Sequence, residues 1–177
     1  MGLFDIFRKN KSEKPQPQEN KCSTEEKKVF EDEFTDIQTD MISICLENVE
    51  GRADMIYVYG SYEAGTIVCT YFYNIHGMVV SRGKLNEALI SGEPLYDVSV
   101  ERQKQVTEIL MDDMKQLKAV CEKYQKPMPT ELKLTYNVGR NSLNADYQYE
   151  NVYSNQQNKD AYAIAEEWMA LERKHGA

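Results

Sequence analysis

Residues 132–150 read LKLTYNVGRNSLNADYQYE, and their alternation decides the fold. Leu132, Leu134, Tyr136 and Val138 alternate with Lys133, Thr135 and Asn137. After Gly139-Arg140-Asn141 the alternation resumes, with Leu143, Ala145, Tyr147 and Tyr149 set against Asn144, Asp146, Gln148 and Glu150. A period of two across a Gly/Asn turn predicts a β-hairpin with one buried and one wet face. The apolar set forms the buried face, and Asp146, Gln148 and Glu150 mark the outward one.

On the C-terminal side, a polar gap leads to a short helix opening at Asn158 or Asp160. Its apolar side carries Tyr162, Ala165, Trp168, Met169 and Leu171, and Trp168 is the only tryptophan of the chain. On the N-terminal side, Ser99 opens a long helix in which Val106, Ile109, Leu110, Met114, Leu117, Val120, Cys121 and Tyr124 keep helical spacing. Lys126-Pro127 ends it, since proline lacks the amide proton a helix needs. Further upstream, Met55–Tyr62 and Thr66–Ile75 flank Glu63-Ala64-Gly65, a hairpin turn, and a third strand runs from about Met78 to Leu85. Tyr57, Tyr59, Tyr62, Tyr71 and Tyr73 suit either a half-exposed sheet packed with hydroxyls at water or a binding surface. Residues 86–97 form a loop.

The first helix has a capping box at Ser23-Thr24-Glu25-Glu26, then Phe30, Phe34, Ile37, Met41, Ile44, Cys45 and Leu46 on one stripe, with Gly51 as the stop. Its other face holds Glu26, Glu33, Asp36 and Asp40. The order helix, three strands, helix, two strands, helix predicts an α+β domain over residues 23–177. Its sheet has about five mostly antiparallel strands, with three helices on one face. Residues 1–22 stand apart. Leu3, Phe4 and Phe7 make at most two amphipathic turns capable of weak membrane contact. A polar stretch with Pro15 and Pro17 follows as a disordered linker.

Charge and composition narrow the function. The net charge is −8, which argues against direct binding of nucleic acid, because phosphate recognition needs a basic face. Glu25–Glu63 holds 11 acidic and 3 basic residues, so the acidity belongs to the first helix and its exit. Such a stripe is either a solvated face or a docking surface for a basic partner. Cys22, Cys45, Cys69 and Cys121 form no C-x-x-C pair, and only His76 and His175 are present. That excludes zinc spacing and a disulfide framework, predicts no metal or cofactor, and points to a reducing cytoplasm. No apolar run reaches the roughly 18–20 residues of a membrane span. No catalytic residue is nominated: neither histidine has a neighbouring nucleophile, Gly139 has no second glycine in register, and Asp146 reads as a solvated strand acid.

The Tyr-rich hairpin MIYVYGSYEAGTIVCTYFY, the helix end KYQKPMP, the hairpin LKLTYNVGRNSLNADYQYENV and the closing EEWMALER together resemble the YezG-like immunity proteins over roughly residues 25–174. Residues 1–22 and the basic Gly139-Arg140-Asn141 turn depart from that pattern. The resemblance implies a cytosolic antitoxin, not an enzyme, that silences a cognate protein toxin of the LXG, type VII-secreted group, often a nuclease. A basic nuclease would be steered to an acidic inhibitor, and the contacts expected are Glu33, Asp36 and Asp40, then Asp146, Gln148 and Glu150. The alternative is a secretion chaperone or adaptor that holds an effector without blocking it.

Overall fold

The computed structural model describes residues 29–175. The N-terminal apolar turns, the linker, the capping box at Ser23–Glu26 and Cys22 lie outside the described residues. The elements are α1 (Phe30–Asn48), β1 (Met55–Glu63), β2 (Thr66–Ile75), β3 (Met78–Ser81), a 3-10 turn (Leu85–Ala88), α2 (Val100–Lys123), β4 (Glu131–Asn137), β5 (Ser142–Gln148) and α3 (Ala161–His175). The five strands form one sheet in the order β3-β2-β1-β4-β5 with antiparallel pairing throughout. This is an α+β fold, as the element order predicts. Among the described residues, no helix is long and apolar enough to cross a membrane.

Local chemistry sets the element ends. Ala64 and Gly65 both take positive φ, the left-handed pair that a two-residue hairpin between β1 and β2 requires. In the β4–β5 turn it is Asn141, not Gly139, that adopts positive φ, while the Asn137 side chain accepts the Arg140 amide at 2.8 Å. Ser99 caps α2 by accepting the Arg102 amide, and Asp160 accepts the Ala163 amide at the start of α3. The α2 helix stops at Lys123, before Lys126-Pro127. Gln125 turns left-handed there, and the Lys126 amide closes back on the Cys121 carbonyl at 2.9 Å. The third strand is shorter than its pattern suggests, because residues 85–88 leave the sheet for the 3-10 turn.

The helices do not share one face. Helices α1 and α2 cover one side, where Ile56 and Val58 of β1, Cys69, Tyr71 and Tyr73 of β2, and Leu132, Leu134 and Tyr136 of β4 form the main core. Helix α3 covers the other side, placing Ile164, Ala165 and Trp168 against Tyr57, Tyr59, Phe72 and Val79. Tyr57 stacks on its cross-strand neighbour Phe72 at 4.5 Å, and Trp168 meets both rings edge-on at 5.6 and 5.0 Å. The central strand is therefore buried on both sides, which is why MIYVYGSY is apolar and aromatic at successive positions instead of alternating. Tyr57, Tyr59, Tyr71 and Tyr73 are core residues, neither half-exposed nor available as a binding surface. Gly60 lets α2 approach, since a Cβ there would lie 2.7 Å from the Met114 sulfur.

The buried face of the second hairpin is also narrower than its alternation predicts. Leu132, Leu134 and Tyr136 are buried and Leu143 and Ala145 partly so, but Tyr147 on the edge strand and Tyr149 just beyond its end are exposed. Tyr147 still packs edge-on to Phe34 and accepts a hydrogen bond from Gln38 at 2.7 Å, so α1 reaches the rim of β5. Tyr162 and Leu171 of α3 point to solvent; its buried side is Ala161, Ile164, Ala165 and Trp168.

Candidate functional site

Helices α1 and α2 run antiparallel across the main core, and the seam between them carries three residues of α1 at seven-residue spacing: Glu33, Asp40 and Glu47. Seven residues are close to two full turns, so the three carboxylates fall on one line facing α2. At one end, the Glu33 carboxylate accepts the Lys123 ammonium at 2.7 and 2.9 Å and the Tyr124 hydroxyl at 2.9 Å. At the other end, Glu47 lies 3.6 Å from the Arg102 guanidinium. Arg102 also donates to Asn48, which donates to the Tyr73 hydroxyl, which donates to the Cys45 carbonyl. That chain ties α2, α1 and β2 together.

The middle of the line is different. Asp40 shares a groove of about 680 Å³ with Asp113 of α2; its walls include Ile44, Leu46 and Ile109, with Thr39 and Ser43 on the α1 side. Asp113 is only 6% exposed. One of its oxygens accepts the Gln116 side chain at 3.2 Å, and the other is buried without a hydrogen-bond partner. Burial, then the negative charges of Asp40 and Asp112, push the Asp113 carboxyl up to about 6 from an ordinary 3.8. Ile109, on the groove wall, is 43% exposed. The exposed Asp40 carboxylate thus stands beside an apolar wall in a groove that Glu47 and Arg102 also line, whereas the unpartnered Asp113 oxygen is closed to solvent.

The acidic residues predicted as one stripe prove to do several jobs. Glu33 belongs to an interhelical clamp. Glu50 pairs with Arg52, and Asp54 accepts the Gly77 amide in the β2–β3 turn. Glu63 is buried and accepts the backbone amides of Val152, Tyr153 and Ser154 at 2.6, 3.4 and 2.9 Å. Burial alone would raise its pKa, but a hydrogen bond from the Ser154 side chain and those from the three amides together outweigh it and hold the carboxyl below the usual range. Asp36 and Asp40 are exposed on α1. Asp113, the residue the groove turns on, escaped the sequence reading, although its place between Leu110 and Leu117 on the buried stripe of α2 is a legible signal.

Asp146, Gln148 and Glu150 lie elsewhere. Asp146 pairs in register with Lys133 and Gln148 with Glu131, on the α3 side of the sheet, whereas α1 and α2 cover the opposite side. All three are exposed, with Asp146 accepting the Asn144 side chain at 3.0 Å and the carbonyls of Gln148 and Glu150 accepting the Thr130 hydroxyl. The sheet separates Asp146 and Gln148 from Asp40, so the two predicted patches are not one surface.

His76 sits in the β2–β3 turn with its Nε2 2.9 Å from Glu93. Among the described residues, no three His, Cys, Asp or Glu side chains converge as metal ligands would. Cys45, Cys69 and Cys121 are free and buried, and burial raises all three thiols above their ordinary pKa. Compared with models of protein families and with curated proteins, the chain matches none.

Proposed function

We propose that this protein is a cytoplasmic antitoxin that binds a cognate basic protein toxin, such as a nuclease, and silences it by occlusion. The observation that carries this reading is the apolar-walled groove between α1 and α2, lined by the carboxylates Asp40, Glu47 and Asp113 together with Arg102. A nuclease holds phosphates and is basic where it does so, so an acidic protein surface can compete for that site and be steered to it. The resemblance of the hairpins and closing helix to YezG-like immunity proteins supports the same reading. The buried free thiols of Cys45, Cys69 and Cys121 support a reducing compartment.

The test is co-expression with the toxin encoded beside this chain. Restored growth, together with loss of toxin activity in the purified complex, supports neutralisation. A stable complex in which the toxin stays active would instead assign the chaperone or adaptor role. No binding to that toxin would end both readings.

A further inference from the structure

We propose that the open edge of β5 pairs with the same edge of a second copy of this chain, joining two sheets into one. The two edges of the sheet differ. At the β3 edge, strand alternation turns the backbone groups of Val79 and Ser81 outward, and both carbonyls are taken: Arg173 Nε donates to Val79 at 3.1 Å and the Lys84 amide to Ser81 at 2.9 Å. Such contacts close an edge against strand addition. The β5 edge has no such cover. The Tyr62 amide donates to the Thr130 carbonyl and the Val138 amide to the Asp54 carbonyl, each at 3.0 Å, so the backbones of Leu132, Leu134 and Tyr136 bond to β1 and those of Lys133 and Thr135 to β5. Asp146 and Asn144, opposite them, therefore bond inward, and Leu143, Ala145 and Tyr147 aim their amides and carbonyls outward. Among the described residues, nothing bonds to those outward groups, and Ser142–Gln148 holds no proline, lysine or arginine to discourage a strand.

The side chains of β5 are complementary to themselves. Antiparallel pairing centred on Ala145 sets Leu143 opposite Tyr147 on the α1–α2 side of the sheet and Asn144 opposite Asp146 on the other. Pairing centred on Asp146 would set two like charges face to face, so the charge pattern favours the Ala145 register. That register also brings the exposed Arg140 of each copy abreast of the exposed Glu150 of the other. Among the described residues, Arg140 joins no ion pair within its own chain. The basic turn of the second hairpin thereby meets an acid across the joint.

The experiment is sedimentation velocity of the full chain at low salt, from about 10 to 500 µM, the span in which a small interface dissociates. A monomer–dimer equilibrium is expected, and amide exchange at Leu143, Ala145 and Tyr147 should slow as concentration rises while exchange in β3 does not. R140E and E150R should each weaken the dimer about tenfold, since two exposed pairs turn from attraction to repulsion. The double variant R140E/E150R should restore it. Both residues lie outside the two cores, and unchanged Trp168 fluorescence reports that the variants remain folded. A monomer at every concentration would overturn the pairing, and so would a dimer that keeps fast β5 amides and ignores both single variants. Protection of the β5 amides only on binding the toxin would assign the edge to the toxin and equally overturn it. The assay contains one protein, so its failure removes the self-pairing while leaving neutralisation to be judged by growth rescue.

Discussion

Asp113→Asn should stabilise the protein near neutral pH and do nothing of the kind in acid. The folded environment raises the carboxyl from 3.8 to about 6, so folding favours its neutral form. Above about pH 6 the ionised group therefore opposes folding by its full amount. That penalty shrinks as pH falls toward 4, where the carboxyl is protonated in folded and unfolded chains alike. A difference of about two pKa units corresponds to roughly 3 kcal/mol. The groups facing Asp113 are Asp40 on α1, its neighbour Asp112, and the Cys45 and Cys69 thiols, both kept neutral by burial. Asparagine keeps an oxygen for Gln116 but brings an amide that needs partners of its own, at a cost of about 1 kcal/mol. The net gain expected near pH 7.5 is about 1–2 kcal/mol, or about 3–6 °C in Tm for a domain of this size. Thermal unfolding of both proteins near pH 4 and pH 7.5 reads this directly, because Glu63 and the other shifted carboxyls are common to both. A loss of Tm of equal size at both pH values would make Asp113 an ordinary hydrogen-bonded acid.

Three further outcomes are expected. Glu63→Gln should cost about 1–3 kcal/mol near neutral pH by weakening the acceptor of three amides, and hydrogen exchange should quicken at Val152–Ser154. Because the folded Glu63 pKa is depressed, its contribution is present above the ordinary value and lost as pH falls through the folded one, so wild type and variant should converge in acid. Trp168→Ala should cost about 3–5 kcal/mol and undock α3, read as exposure of Tyr57 and Phe72 to solvent by amide exchange in β1 and β2. Glu33→Gln should change partner affinity far less than Asp40→Asn, measured by calorimetry, since Glu33 is already engaged by Lys123 and Tyr124.

Periodicity made the elements and the α+β class legible, because each helix buries a stripe at 3.6 residues and the second hairpin alternates at two. Layering was harder to read. The signal that α3 takes the opposite face lies in β1, where Ile56 to Ser61 are buried without a break; a strand wetted on one side cannot look like that. Alternation assigns Tyr147 and Tyr149 to the buried face, yet both are exposed, because it reports which face a residue shares and not how far the covering helix extends toward an edge strand. The acidic run misled for a related reason. Counting charges along the chain merges Glu63, buried under a loop, with Glu33 in a clamp and Asp40 in a groove. Asp113 is read correctly only once two helices are set side by side, since its meaning comes from the acid across the seam.

We propose that the carboxylates of the α1–α2 groove, with the exposed Asp40 foremost, attract a basic toxin. The most direct measurement is the affinity and inhibitory power of the full chain toward the toxin encoded beside it, for wild type and for a folded D40N/D113N variant. Tight inhibition by wild type, weakened by salt, and a loss of about 10–100-fold in the variant are expected. Equal inhibition by both proteins would contradict it.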